Sequence, residues 1–285
     1  MEVLRTVDEL RRWSRALRSA QGGSAGRRIG LVPTMGALHG GHVSLIRAAR
    51  AACSHVAVSL FVNPTQFGPN EDYARYPRSF EADCAIAEAE SASVVFAPTV
   101  EEMYPAGAAT FVEVAGLSER LDGRSRPGHF RGVATVVAKL FIAAEADLAF
   151  FGQKDAAQVS ILRRMAVDLR LATEIVVCPI VRDTDGLALS SRNAYLSAAE
   201  RAQALTLSRA VRLVESLAAK GERRAAVLIA AAQELFATEP AVRIDFIELV
   251  DWTTLEPVET ATPGTLFAVA AYVGSTRLID NAILA

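Results

Sequence analysis

Short apolar segments of strand length alternate with segments of helical period through the N-terminal part of the chain, and this alternation constrains the fold more than any other feature. Ile29 to Val32 leads through a loop into a helical run from about His42 to Ala52, followed by a Val- and Leu-rich strand from His55 to Val62. That is the pattern of a βαβ unit. The same rhythm predicts a helix over Arg78 to Ser91, a strand over Ser93 to Ala97, a helix over Val133 to Ala144 and a strand over Asp147 to Phe151. A helix over Ala156 to Leu169 and a strand over Glu174 to Val177 complete it. Strands separated by helices of this length imply a parallel sheet covered on both faces. Ahead of the first of these strands, Thr6 and Glu9 fit a capping box that opens a helix ending near Gly22, with QGGSAG as a loop.

The character of the sequence changes near residue 185. A polar turn, DTDG, and the segment LSSRN precede Ser197, which with Glu200 fits a second capping box at the head of a long Ala-rich helix. Another helix is predicted over Ala225 to Ala237, then strands at Arg243 to Val250, Leu266 to Val273 and Thr276 to Leu284. The expected organisation is a doubly wound parallel domain over 1–184 and a smaller α+β domain over 185–285. A chain of 285 residues lies where single cores stop growing, about 250–300 residues, which agrees with one large domain and a smaller partner. The binding site is expected where the two parts meet.

Charge excludes several classes of partner. Thirty Lys and Arg stand against 32 Asp and Glu, a net charge of −2, so no electrostatic footprint for nucleic acid or an anionic membrane surface exists. Any bound anion must be met by local groups. Cys53, Cys84 and Cys178 are an odd number without a C-x-x-C pair, which reads as reduced core thiols of a cytoplasmic protein. The opening MEVLRTVDELRRW is too charged for a secretory signal, and the apolar segment Gly132 to Ala144 is interrupted by Lys139 and too short for a membrane span of roughly 18 residues.

Three loops carry residues suited to phosphate. The first strand runs into PTMGALHGGH, which puts His39 and His42 at a helix start among Gly36, Gly40 and Gly41. Unpaired N–H groups and the dipole at a helix N-terminus favour anions, and glycine lets backbone approach them. The plainer reading is a turn whose histidines only cap the helix. A zinc pair is disfavoured because no third ligand is evident. Walker A and G-x-G-x-x-G signatures are absent at the strand–helix junctions. The second loop, Gly152-Gln153-Lys154-Asp155, follows a strand; Lys154 suits phosphate oxygens and Asp155 ribose hydroxyls, unless they are a surface lysine and a dipole-favoured aspartate. The third, Leu189-Ser190-Ser191-Arg192-Asn193, offers two hydroxyls and a forked guanidinium, or else is an ordinary polar linker.

Read together, LVPTMGALHGGH, LFVNPTQFGPNEDYARYPRS, PGHFRGV, FFGQKDAAQ and GLALSSRN resemble, in order and spacing, the pantothenate synthetase (pantoate–β-alanine ligase) family. That family belongs to the H-x-G-H nucleotidylyltransferase group, with GLALSSRN similar to its mobile KMSKS-like loop. The resemblance implies a Rossmann-like domain with a smaller C-terminal lid domain, in a homodimer that binds neither nucleic acid nor membrane. It implies ATP-dependent joining of (R)-pantoate and β-alanine through a pantoyl adenylate, releasing AMP and pyrophosphate. An alternative is a nucleotidylyltransferase that stops at the adenylylated product, and a second is a relative that keeps the fold and binds nucleotide without catalysis.

Carried over by position, the resemblance puts His39, His42, Lys154, Ser190, Ser191 and Arg192 on the ATP phosphates and Met35 near the reacting centre. It puts Gly152 and Asp155 at the ribose, the backbone of Val181 and Leu189 beside adenine, Gln66 and Gln158 on pantoate, and Asn63 in support of that pocket. Tyr76, Arg126 and His129 match positions on the β-alanine side. Mg²⁺ is expected with ATP, held mainly by phosphates and water with Asp83 nearby. Three positions depart from the family pattern: Gly40 stands where Glu is frequent, Gln153 where Glu is common and Leu189 where Met is common. None removes a side chain assigned to the chemistry, and the Gln66–Gln158 pair argues for the ligase over the first alternative.

Overall fold

The computed structural model describes residues 1–19, 28–69 and 71–285, so the loop predicted at QGGSAG and the helix end predicted near Gly22 fall outside the described residues. Those residues form two compact units. The first comprises Met1–Ser118, Arg126–Gly152 and Ile161–Cys178, the second Glu119–Ser125, Gln153–Ser160 and Pro179–Ala285.

Strand β1 (Glu2–Leu4) and helix α1 (Val7–Ser19) open the chain, followed by β2 (Ile29–Thr34), α2 (Gly40–Ala52) and β3 (His55–Leu60). Then come α3 (Phe80–Ala89), β4 (Val94–Phe96), the short helices α4 (Val100–Met103) and α5 (Asp122–Ser125), and the long helix α6 (His129–Ala144). Strand β5 (Leu148–Gly152), α7 (Ala156–Asp168) and β6 (Glu174–Cys178) follow. The expected capping box at α1 is present: the Glu9 carboxylate accepts from Thr6 N–H at 2.9 Å, and Glu9 N–H donates to Thr6 Oγ1 at 3.2 Å.

The first unit holds a sheet in the order β1-β4-β3-β2-β5-β6, with each neighbouring pair parallel. Its inner strands are apolar on both faces because helices cover both. On one face Val32, Val58 and Phe150 pack against Leu45, Ile46 and Ala49 of α2. Alternation sends the next residue of β5, Phe151, to the other face, where its ring meets Phe141 of α6 edge-on at 6.3 Å. Helix α1 is tied to α6 by the buried Ser14 hydroxyl, which donates to Ala144 O at 2.7 Å. Strand β1 was not expected from the sequence. Three residues with a charge and little apolar pattern are a strand only because β4 supplies hydrogen bonds far along the chain, Glu2 lying opposite Val94.

In the second unit α8 (Ala198–Ala219) and α9 (Ala225–Ala237) pack against an antiparallel sheet of β7 (Val242–Asp251), β8 (Thr265–Val273) and β9 (Thr276–Ile283). Val211, Val214, Leu228 and Phe236 meet Phe267, Val269 and Ala271 in its core. The Ser197–Glu200 capping box opens α8 as predicted. Arg277 forms ion pairs with Asp122 at 2.6 Å and Asp245 at 2.8 Å, fastening α5 and β7 to β9. No helix among the described residues is long and apolar enough to cross a membrane.

Candidate active site

From β2 the chain runs to β3 and β4 on one side, and it reaches the other side of β2 only with β5. The strand order therefore reverses between β2 and β5, and the crevice outside the carboxyl ends of strands at such a reversal is the ligand position of open α/β sheets. The H-x-G-H segment begins there.

Its backbone turns sharply. Gly36 (φ 84°) and Ala37 (φ 51°) are both left-handed, a conformation that glycine adopts freely and alanine only when its surroundings enforce it. Those surroundings are the Asp83 carboxylate, which accepts from Ala37 N–H at 2.9 Å and Leu38 N–H at 2.8 Å. A Cβ on Gly36 would stand 2.9 Å from Asp83 Oδ2, so glycine is needed for space as well.

The turn delivers His39 as the N-cap of α2. His39 Nδ1 accepts from Gly41 N–H at 3.1 Å, and His42 Nδ1 accepts from His39 N–H at 3.3 Å. This is a capping box built from two histidines, with ring centroids 4.2 Å apart. Because each Nδ1 is an acceptor, these bonds assign the neutral tautomer with the proton on Nε2. The capping reading and the phosphate reading are therefore compatible. One nitrogen of each ring serves the helix, and the other is an N–H donor.

A second group surrounds Gln66. Asn63, 1 % exposed, accepts at Oδ1 from Tyr104 OH at 2.9 Å and Thr65 OH at 2.9 Å, which orients its amide. Its NH2 donates to Gly132 O and Gln66 Oε1, both at 3.1 Å. Gln66 consequently turns its own NH2 outward, where it meets Met35 Sδ at 2.9 Å. Burial pushes the Tyr104 phenol up, outweighing the bonds to Thr65 and Asn63 that favour its anion, so it remains a donor. Close packing seats this turn on α6: a Cβ on Gly132 would come within 2.2 Å of Thr65 O.

The residues expected on the β-alanine side are engaged nearby. Arg126 holds Glu71 in a two-pronged pair at 2.7 and 2.6 Å and donates to His129 Nε2 at 2.9 Å. His129 Nδ1 then donates to Gln66 O at 2.7 Å. Burial raises the Glu71 pKa, but the Arg126 contacts prevail and leave it below the ordinary carboxylate value. Tyr76 is buried, edge-on to Phe67 at 5.9 Å.

In the second unit the turn after β5 is fixed by Asn281. Its NH2 donates to Gln153 O at 3.0 Å and Lys154 O at 2.9 Å, while Gln153 Nε2 returns a bond at 3.2 Å. Lys154 Nζ lies 3.9 Å from Asp155, and Gln158 is half-buried on the first turn of α7. The next residue along from Asn281, Asp280, makes a two-pronged pair with Arg182 at 2.6 and 2.8 Å. That arginine flanks Val181, whose carbonyl accepts from Leu189 N–H at 2.9 Å. Ser190 caps a tight turn, accepting from Arg192 N–H at 3.3 Å, with Ser191 and Arg192 in the turn itself.

Asp83, expected beside magnesium, is 3 % exposed, and its oxygens are occupied by two amides and by the Ser79 hydroxyl at 3.2 Å. No three His, Cys, Asp or Glu converge among the described residues to hold a metal. Tyr104, Asp280 and Asn281 escaped the sequence reading, since none sits in a recognisable motif, and Glu71 was passed over within the segment LFVNPTQFGPNEDYARYPRS.

Parallel sheet, strand reversal and histidine-capped helix define an α/β protein of the H-x-G-H group. The family described as pantoate-beta-alanine ligase matches residues 2–283, and the chain belongs to it. Among curated relatives, a pantothenate synthetase of Acidobacterium capsulatum is 63% identical over 258 residues, 90% of this chain and 86% of its own length. That of Koribacter versatilis is 56% identical over 284 residues, 100% of this chain and 96% of its own. A crystal structure of the enzyme from Thermus thermophilus superimposes with TM-score 0.92 at 44% identity, covering 99% of each chain. The pantoate-beta-alanine ligase of Francisella tularensis, solved with beta-gamma ATP and beta-alanine, gives TM-score 0.80 at 31% identity, covering 99% of this chain and 97% of its own.

Proposed function

We propose that this chain condenses (R)-pantoate with β-alanine at the expense of ATP, releasing AMP and pyrophosphate. The observation that carries the reading is the histidine capping box, which commits both Nδ1 atoms to the helix and assigns a proton to each Nε2. Two imidazole donors at a helix N-terminus suit a substrate whose negative charge shifts among phosphate oxygens as it reacts.

In the first step a pantoate carboxylate oxygen attacks the α-phosphorus in line, forming the acyl–O–P bond as the bond to pyrophosphate breaks. His39, His42, Lys154, Ser190, Ser191 and Arg192 take up charge on the phosphates, and Gly152 and Asp155 contact ribose. Val181 and Leu189 flank adenine through their backbone. Gln66 donates to a pantoate oxygen through Nε2, Gln158 holds the same substrate, and Met35 and Asn63 shape its pocket. In the second step the β-alanine amine attacks the acyl carbon, AMP departs and the amine loses a proton. Tyr76, Arg126 and His129 border that side of the site, the latter two by holding Gln66 O. Neither step needs a covalent enzyme nucleophile, so positioning and electrostatics carry the catalysis.

Magnesium belongs to this reading as an ion that neutralises phosphate charge and arrives on ATP. The same reading treats 1–184 as the ATP- and pantoate-binding domain, 185–285 as a lid, and the protein as a cytoplasmic homodimer, the last tested by sedimentation of the purified chain. The deciding assay follows AMP with Mg-ATP while (R)-pantoate and β-alanine are omitted in turn. AMP that requires both is the expected result. Pyrophosphate with a stable adenylate would indicate the nucleotidylyltransferase, and ATP binding without product a non-catalytic relative.

A further inference from the structure

We propose that Asp83 is a positioning residue for ATP, acting as a built-in anion that shapes the H-x-G-H loop. This deepens the reading of that loop as a phosphate site and rests on it. Asp83 lies on α3, and its oxygens receive three donors from two segments: Ala37 N–H, Leu38 N–H and the Ser79 hydroxyl. Successive amides pointing at one anion out of left-handed backbone form a nest, which is a known anion-binding arrangement. Here the anion is the protein's own carboxylate.

The geometry explains why the loop tolerates a left-handed alanine. At Ala37 the strained backbone, φ 51°, is held by charge-assisted bonds to a carboxylate that is 3 % exposed. Leu38 leads directly into His39, so the direction in which α2 begins, and with it both imidazoles, is set by where Asp83 stands. Three donors use three of the roughly four lone-pair sites of the carboxylate, so its first task is to hold the loop.

The test compares unaltered protein with Asp83→Asn, in which one amide N–H would face an NH2 donor instead of an acceptor. ATP binding is measured by calorimetry in EDTA, without magnesium, and the Mg²⁺ activation curve is measured separately at saturating ATP. The expected result is an ATP affinity weakened about tenfold or more without magnesium, the scale for breaking a buried charge-assisted hydrogen bond, with the Mg²⁺ midpoint unchanged. Equal Mg²⁺-free affinity together with a raised Mg²⁺ requirement would overturn the proposal and assign Asp83 to the magnesium instead. Unaltered protein that binds no ATP would overturn the nucleotide reading beneath it, a result distinct from binding that the substitution leaves unchanged. Should the variant not fold, amide hydrogen exchange in the unaltered protein decides. Protection of Ala37 and Leu38 that persists with Mg-ATP supports positioning, and protection lost on adding magnesium refutes it.

Discussion

Gln66 is held at both ends of its peptide and side chain, its carbonyl by His129 and its Oε1 by Asn63. The polarity of the chain Tyr104 to Asn63 to Gln66 decides that the Gln66 NH2 rather than its Oε1 is turned toward Met35. Tyr104→Phe removes one of the donors that fix the Asn63 amide and loosens it, so the KM for pantoate should rise about 3–10-fold, the scale of one neutral hydrogen bond, while the KM for ATP stays put. Steady-state kinetics with each substrate varied separately would show it, and equal changes in both would refute a steering role. Gln158→Ala should likewise impair use of pantoate more than binding of ATP, because a site built to hydrogen-bond a substrate discriminates strongly through those bonds. Lys154→Ala should lower kcat by about 10²–10³-fold, the scale for one preorganised donor, with an unchanged unfolding curve. A loss under about threefold would remove Lys154 from the chemistry on that same scale. The residues in these predictions that sit in contiguous motifs were legible in the sequence. Their supports were not, since Asp83 is 46 positions from Ala37 and Tyr104 is 41 from Asn63.

Elements whose ends are determined by their own residues matched expectation best. Both Ser/Thr–Glu capping boxes stand where the spacing put them, and β2 to β6 follow the apolar runs. Helix α6 begins four residues earlier than predicted, at His129, because Pro127-Gly128 leads into it and Gly128 adopts φ 82° as its N-cap. The contact of α6 with the Pro64–Gln66 turn is too close for any side chain at Gly132. Gly132→Ala should therefore destabilise the protein by about 1–3 kcal/mol, the usual cost of overpacking, and also impair pantoate use as the Thr65–Gln66 backbone shifts. Thermal unfolding together with pantoate kinetics would separate these effects. A variant with unchanged Tm and KM would mean that the turn moves freely.

Across the whole molecule, local contacts hold a set of carboxylates below their ordinary range. Glu200 is held low by the Ser197 amide and hydroxyl, and Glu222 is lowered to about 2 chiefly by Arg224. At Glu71 burial opposes the shift and Arg126 prevails. Such groups bind fewer protons folded than unfolded, so stability falls with pH where the unfolded chain takes up protons first. Urea midpoints should be flat above about pH 5 and decline below the ordinary glutamate value of 4.5 as the pH approaches the folded values. A midpoint that rises on acidification would contradict those assignments. The pairing of β1 with β4 bears on how the protein is made. Glu2 waits for Val94, so at about 5–20 residues per second a ribosome spends roughly 5–20 s with the first strand exposed and its partner unmade. During that interval the N-terminal segment is open to chaperones and proteases, and nascent chains arrested before residue 94 should lose it to limited digestion while longer ones keep it.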